Sequence, residues 1–226
     1  MKYHSIISFL SIFVVSSCYA SNGIMLGATR IIYSADAEQS TISIKNKSDK
    51  MDYLMQSWVS DSNGKKSSDF FVTPPLFVSH PGDENSLRIE LVGKPDWPVD
   101  REYLYYFNVK AVPSTTINKN AKNVLQFATQ SVIKMFIRPR NLPSSPVDAP
   151  ASLHCSVNGN NITINNPSPY YVSMVNLKIG KEGIKSEMVA PKSVATVKTS
   201  KPENGERLQF QTINDYGAVT HPQICS

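Results

Sequence analysis

The chain has 226 residues, and its 23 lysine and arginine residues outnumber its 18 aspartate and glutamate residues, giving a formal charge of +5. This excess is small, and the basic residues do not form the clustered runs that nucleic-acid binding requires, so the composition disfavours a nucleic-acid-binding protein. Interleaved acidic residues also disfavour a membrane-surface protein. A chain of this length exceeds one typical domain of about 100 to 150 residues, which predicts more than one domain.

The first twenty residues have the pattern of a secretory signal: a short basic start at Lys2, an apolar run over Ile6–Val15 and small residues before Ser21. The run is shorter than the roughly 18 apolar residues that a transmembrane helix needs. We therefore expect residues 1–20 to be removed and the mature chain to be exported without stable membrane insertion. The alternative is a lipoprotein signal with acylation at Cys18.

Two cysteines follow the signal, Cys155 and Cys225. An even number in an exported chain favours a disulfide. A zinc site is the alternative, because His154 adjoins one cysteine and His221 lies four residues before the other. A disulfide would close a loop of 70 residues and stabilise the fold by about 4 kcal/mol through the lost entropy of the unfolded chain.

Short runs rich in valine, isoleucine, tyrosine, phenylalanine and threonine recur with a period of two, which predicts an all-β chain. The first half has seven predicted strands, in the number expected of an immunoglobulin-like sandwich: Ile24–Tyr33, Thr41–Lys45, Tyr53–Ser60, Phe70–Val78, Ser86–Val92, Arg101–Val112 and Val124–Ile137. The second half repeats the pattern at smaller size: Ser152–Val157, Asn161–Ile164, Val172–Ile179, Ser193–Lys198, Arg207–Ile213 and Ala218–Cys225. No internal sequence repeat is visible between the halves.

Between the halves, the segment Arg138–Pro150 has four prolines in 13 residues, which forbid a helix or a central strand. This segment predicts a hinge. We expect a first domain at 21–141, a linker at 142–150 and a second domain at 151–226.

A search of the sequence for catalytic motifs found none. The chain has no G-x-S-x-G elbow, no H-E-x-x-H pair, no glycine-rich phosphate loop and no paired C-x-x-C. The histidines after the signal are scattered in turn-like contexts. The sequence therefore predicts a protein that is not an enzyme, with no cofactor and no metal.

The segment Val124–Ile137 is unusually long for a strand. Its odd positions place Leu125, Phe127 and Thr129 on one side. One interpretation is a last strand whose core face begins at Leu125 and Phe127. The other is an edge strand whose backbone and apolar row are offered to a partner, an arrangement that proteins normally suppress. Lys134 lies among apolar neighbours near the end of the strand, where a cation needs a carboxylate.

Several motifs, in order along the chain, carry a family resemblance: Ala28-Thr29-Arg30, Thr73-Pro74-Pro75, Arg101-Glu102, Tyr105-Tyr106-Phe107-Asn108, Asn123-Val124-Leu125-Gln126, Ile133-Lys134-Met135-Phe136, Arg138-Pro139, Asn166–Val172 and Ile213-Asn214-Asp215-Tyr216-Gly217. With them the chain resembles the PapD-type periplasmic chaperones of the chaperone-usher pilus pathway. Each motif is weak alone, whereas the set is highly specific.

The resemblance implies two immunoglobulin-like β-sandwich domains joined by a proline-rich hinge in an L or boomerang shape. It implies a periplasmic chaperone that binds, folds and stabilises pilin subunits by donating a strand and delivers them to an outer-membrane usher. Self-association of the free chaperone stays open. The segment Ala111–Lys122 resembles the short-loop branch, which suggests rod-like pili.

The resemblance also assigns roles to single residues. Arg30 and Lys134 would grip the terminal carboxylate of a subunit. The residues that would face the subunit groove are Leu125, Phe127 and Thr129, where Thr129 replaces the third large apolar residue that is usual in the family. An internal salt-bridge set near the hinge would consist of Glu102, Arg138 and Asp215.

Two rival classes have weaker support. A secreted two-domain adhesin or receptor-like binding module would need no buried pair of cations in a cleft between domains. A periplasmic hydrolase would need a nucleophile and a base, which the sequence does not offer.

Overall fold

The computed structural model describes residues 23–93, 95–114, 125–200 and 206–226. The predicted signal peptide at 1–20, Cys18 and most of the loop 111–122 lie outside the described residues. In the described ranges no helix is long and apolar enough to cross a membrane.

The first domain is built from strands that alternate inward and outward side chains: β1 (Ile24–Leu26), β2 (Arg30–Ser34), β3 (Gln39–Asn46), β4 (Tyr53–Ser60), β5 (Phe70–Thr73), β6 (Leu76–Ser79), β7 (Glu84–Leu91), β8 (Tyr103–Pro113) and β9 (Thr129–Arg138). One sheet has the order β1-β3-β7-β5 and the other β2-β9-β8-β4-β6. Both sheets contribute to one core, in which Ile44 and Leu87 of the first sheet and Phe107 and Met135 of the second are fully buried. The domain is a β-sandwich.

The predicted strand Ile24–Tyr33 divides in two. β1 pairs with β3, whereas β2 pairs with β9 in the other sheet, so the chain changes sheets between Leu26 and Arg30. Gly27 lies at this change and is still paired with β3, since its N–H donates to the Ser43 carbonyl at 2.8 Å. A Cβ at this position would lie 2.2 Å from the Ser43 hydroxyl oxygen, which would have to rotate away.

The predicted strand Phe70–Val78 also divides, at Pro74 and Pro75, into β5 and β6, which lie in different sheets. Proline has no backbone N–H to donate and interrupts a strand for this reason.

The second domain contains β10 (His154–Asn158), β11 (Asn161–Asn166), β12 (Val172–Ile179), β13 (Glu182–Ile184), β14 (Glu187–Val189), β15 (Ser193–Lys198), β16 (Leu208–Thr212) and β17 (Gln223–Ile224). One sheet has the order β10-β11-β15, and the other has the order β13-β12-β16-β17 with β14 also paired to β12. They enclose a second core around Ile162, Ile164, Leu208 and Phe210. β13 and β14 were not predicted, because three residues are too few to show a period.

A short 3₁₀ helix, Ala149–Ser152, begins at the end of the proline-rich segment and enters the second domain. It occupies the start of the predicted strand Ser152–Val157, so that strand begins at His154 instead. The predicted strand Ala218–Cys225 is likewise reduced to β17.

Each domain contains the same buried asparagine motif. Asn46 and Asn166 each end a strand, are fully buried, and accept the N–H of the serine two residues later at 2.9 and 3.0 Å. Their side-chain amides donate to the carbonyls of Met51, Ser79 and His80 in one domain and of Tyr170, Val189 and Ala190 in the other. A shared N-x-S triplet is too short to be recognised as a repeat without the fold.

Cys155 and Cys225 form a disulfide that joins β10 to the C-terminus. The Cys155 N–H also donates to the Ser226 carbonyl at 2.7 Å. Both cysteines are therefore occupied, and the part of the chain that the structure describes has no group of three residues able to hold a metal. The zinc alternative at His154 and His221 has no support.

Candidate functional site

One edge of β9 is open at its start. β9 pairs with β8 from Thr129 onward, whereas its parallel pairing with β2 begins only at Lys134. Within the described ranges, residues 129–133 thus have a neighbouring strand on one side only. Their outward N–H and C=O groups can pair with an added strand.

The side chains of β9 alternate between the sandwich interior and the outer face of the sheet. Met135 and Ile137 are buried in the core, and Ile133 packs against it. Thr129 lies on the same side but is exposed. The side of β9 that faces the core is therefore buried toward the end of the strand and exposed at its start.

Leu125 and Phe127 were expected within this strand, and that prediction was wrong: β9 begins at Thr129. Both side chains are strongly exposed, at 79% and 72%. Gln126, between them, donates to the Pro113 carbonyl. Thr129 lies opposite Ala111, and β8 ends two residues later at Pro113, so among the described residues the chain before Phe127 has no partner strand on this side either.

Polar side chains link the outer face of β9 to its neighbours. Gln130 donates to the Asn108 side chain at 3.1 Å, and Asn108 in turn donates to the Ser60 hydroxyl at 2.9 Å. This chain of hydrogen bonds crosses three strands and holds the start of β9 in register.

Arg30 and Lys134 lie directly opposite each other in the β2–β9 pairing, where the open edge ends. Arg30 is only 9% exposed, and its guanidinium donates to the Ile213 carbonyl of the second domain at 2.8 Å and lies 5.9 Å from the Phe136 ring centroid. Its buried Nε has no partner among the described residues. The structure thus brings together the two cations that the resemblance paired.

Burial lowers the pKa of both cations. For Lys134 the charge of Arg30 lowers the pKa further, and Glu187 of the second domain opposes the shift. For Arg30, Asp215 and Glu102 oppose the effect of burial. Neither cation forms an ion pair with a carboxylate within 4 Å in the described ranges, whereas Arg138 nearby is paired with Glu102 and Asp215.

Arg138 joins the two domains behind this site. Its Nε donates to Glu102 at 2.7 Å, and its two terminal nitrogens donate to the two Asp215 oxygens at 2.7 and 2.8 Å. Glu102 also accepts the Tyr171 N–H at 2.8 Å. The predicted set of three residues is thus adjacent, and it links β8 and β9 to the second domain.

Burial acts on both Glu102 and Arg138, but it decides the direction of the pKa shift only for Glu102. Burial raises the pKa of Glu102, although Arg138 and the Tyr171 N–H oppose the shift. For Arg138, burial lowers the pKa, but Asp215 and Glu102 outweigh it and raise the pKa above the ordinary arginine value. Arg138 therefore stays charged, and its contacts offset the cost of burying the Glu102 carboxylate.

A second ion cluster between the domains was not predicted. Lys192 pairs with Asp100, which also pairs with Arg101 at 2.9 Å. No sequence motif contains these charged residues, and nothing in the sequence indicates that positions 100 and 192 lie close together. The Glu102 N–H, donating to the Pro169 carbonyl at 2.8 Å, adds a backbone link nearby.

A cavity of about 300 Å³ lies between the domains next to Arg30. Its walls are mainly apolar and include Phe136, Val147, Tyr170 and Ile213. Apart from Arg30, the charged groups in its wall are Glu102, Arg138 and Asp215, which are already paired with one another. We assign it no ligand.

Family models match nearly the whole described chain. The N-terminal domain model of PapD, a pili and flagellar-assembly chaperone, matches residues 23–143, and the model of the PapD C-terminal domain of pili assembly chaperones matches residues 148–224.

Individual chaperones of known sequence or structure are also similar to this chain. SfmC of Escherichia coli K12, described as a probable fimbrial chaperone, is 45% identical over 208 residues, which cover 92% of this chain and 90% of SfmC. The crystal structure of the periplasmic chaperone SfaE is 38% identical, with a TM-score of 0.79 over 90% of this chain and 99% of that one. The SafB chaperone, solved in complex with the Salmonella enterica SafA pilin, is 30% identical, with a TM-score of 0.81 over 90% and 95% of the chains. The chain therefore belongs to the PapD family of pilus-assembly chaperones and is not an enzyme.

Proposed function

We propose that this chain is a periplasmic chaperone that captures fimbrial subunits by lending them a strand and then delivers them to an outer-membrane usher. The observation that carries the proposal is the open edge of β9, residues 129–133, which ends at the adjacent cations Arg30 and Lys134. The relatives support it, since SafB was solved holding a pilin.

The open edge supplies the first part of the mechanism. A subunit strand that adds alongside residues 129–133 would be collinear with β2 and would pair its backbone with that of β9. Continued pairing along 125–128 would extend β9 outward. Leu125 and Phe127, exposed in the free chaperone, would then cover apolar surface of the subunit, and each would contribute about 1.5 to 3 kcal/mol.

The two cations supply the second part. A strand alongside the open edge must stop where β2 begins, so its terminal carboxylate would meet Arg30 and Lys134. Each charge-assisted hydrogen bond would contribute about 1.5 to 3 kcal/mol. Fixing the terminus also fixes the register, because a slip by one residue would turn every side chain to the opposite face.

Co-purification tests the proposal. The chain would be produced with a tagged fimbrial subunit encoded beside it in its genome, and the periplasmic fraction would be captured through the tag. We expect a one-to-one complex with the wild-type chain and none with an Arg30→Ala, Lys134→Ala double variant. An adhesin-like binding module would leave the subunit alone in both samples, which would refute the proposal.

A further inference from the structure

The subunit-facing row of β9 is interrupted by hydroxyls. At the odd positions, Leu125 and Phe127 precede β9, whereas Thr129, Ser131 and then Ile133, which packs against the core, lie within it. The row of odd positions is therefore apolar at both ends and polar in the middle.

The register of β9 places these two hydroxyl residues on the side of the sheet that faces the core. Thr129 lies opposite Ala111 and Ser131 opposite Val109, and both β8 residues are buried. Residues directly opposite in an antiparallel pair share a face of the sheet. Thr129 and Ser131 therefore occupy positions that a second layer would cover, although Thr129 is exposed in the free chaperone.

Neither hydroxyl makes a hydrogen bond to any residue that the structure describes, so both are free to interact with water. A subunit docked on this edge would remove that water. A hydroxyl desolvated without a new partner weakens binding by about tenfold or more. A subunit whose groove is apolar throughout would thus bind this chaperone weakly.

We infer that Thr129 is a specificity-determining residue, and that the chaperone selects fimbrial subunits whose groove presents a hydrogen-bonding side chain opposite it. The inference rests on the proposed function. Since Thr129 precedes Lys134 by five residues, this polar position in the subunit would lie roughly 17 Å from the anchored carboxylate.

An isosteric substitution gives the test, because valine has the shape of threonine without its hydroxyl. If the groove supplies a partner, Thr129→Val leaves that partner unpaired and weakens capture about tenfold, whereas Thr129→Ser keeps the hydroxyl and binds within about threefold of wild type. If the groove is apolar at this level, Thr129→Val binds as well as wild type or more tightly. Thr41→Val, at an exposed strand threonine on the other sheet, is the matched control.

Competition measures the ratio of affinities directly. A purified complex of the wild-type chain with the neighbouring fimbrial subunit is mixed with an equal amount of tagged variant, and the partition of the subunit is measured at equilibrium. Preferential retention by wild type over Thr129→Val, with equal sharing for Thr41→Val, supports the inference, and equal or reversed partition for Thr129→Val overturns it.

The same experiment separates this inference from the proposed function. If wild type forms no complex, the proposed function fails and the inference fails with it. If wild type captures the subunit, the Lys134→Ala variant does not, and Thr129→Val competes equally, only the inference fails.

Discussion

Arg30 and Lys134 face each other across the parallel pairing of β2 and β9, so two cations occupy adjacent positions on neighbouring strands. Both are substantially buried, and burial lowers the pKa of each. Two like charges at adjacent positions repel each other and destabilise the free chaperone, and an anion bound between them would relieve the repulsion.

The first prediction concerns Arg30 and Lys134, the two cations that would bind the terminal carboxylate of the subunit. Arg30→Ala and Lys134→Ala, made separately, should each abolish or nearly abolish subunit capture, because each removes a charge-assisted hydrogen bond and the register that it fixes. The measurement is co-purification of the subunit from periplasm, with circular dichroism to show that each variant is folded. Normal recovery of subunit with a folded double variant would refute the anchoring mechanism.

Alkaline pH should weaken capture through Lys134. A bound carboxylate requires the ammonium form, and burial together with Arg30 lowers the Lys134 pKa in the free chaperone. As the pH rises through this lowered pKa, the free chaperone loses a proton that the complex keeps, so the affinity for the subunit falls. The fall should begin at a pH below the ordinary lysine pKa of about 10.4.

Subunit affinity measured from pH 7 upward checks this prediction. A Lys134→Arg variant keeps its charge over the whole range and should lose less affinity as pH rises. Parallel profiles for the two proteins would contradict the assignment to Lys134.

Leu125→Ser and Phe127→Ser should weaken capture by a different route. Each loses about 1.5 to 3 kcal/mol of apolar burial in the complex, a loss of roughly tenfold to a hundredfold in affinity. The stability of the free chaperone should not change, because both side chains are exposed in it. Urea unfolding of the free variants, beside subunit affinity, separates the two effects, and a loss of stability without a loss of affinity would contradict the prediction.

Arg138→Ala should destabilise the free chaperone by about 3 to 5 kcal/mol, because it leaves the Glu102 carboxylate, only 2% exposed, without its cation. Lys185→Ala, at an exposed position, is the control. Arg138→Lys should be intermediate, since lysine keeps the charge but cannot bind Asp215 through two parallel hydrogen bonds. Superimposable urea unfolding curves for the alanine variants would refute the role of the network.

The disulfide should be detectable by intact mass. Protein isolated from the periplasm without reductant should be two hydrogen atoms lighter than the reduced protein, and a Cys155→Ser, Cys225→Ser double variant should lose about 4 kcal/mol of stability. Adding reductant to the wild type should bring its unfolding curve toward that of the double variant. Two free thiols in the isolated protein would rule out the pairing.

The fold class, the family and the strands with a clear period of two could be predicted from the amino-acid sequence alone. β4 was predicted to the residue, because its side chains alternate between buried and more exposed from Leu54 to Val59 and polar residues mark its ends. The family motifs also predicted that Arg30 and Lys134 lie together, as do Glu102, Arg138 and Asp215, since these residues lie within distinctive local patterns.

Which residues meet in space and where several strands end depend on the three-dimensional packing of the chain. The change of sheet at Gly27 is visible only in the pairing of β1 with β3 and of β2 with β9, and the start of β9 at Thr129 depends on how far its neighbours extend along it. The contact between Asp100 and Lys192 likewise follows from the packing of two domains. Periodicity in a sequence reports whether a side chain faces inward or outward, whereas pairing partners and contacts between domains are set by residues distant in the chain.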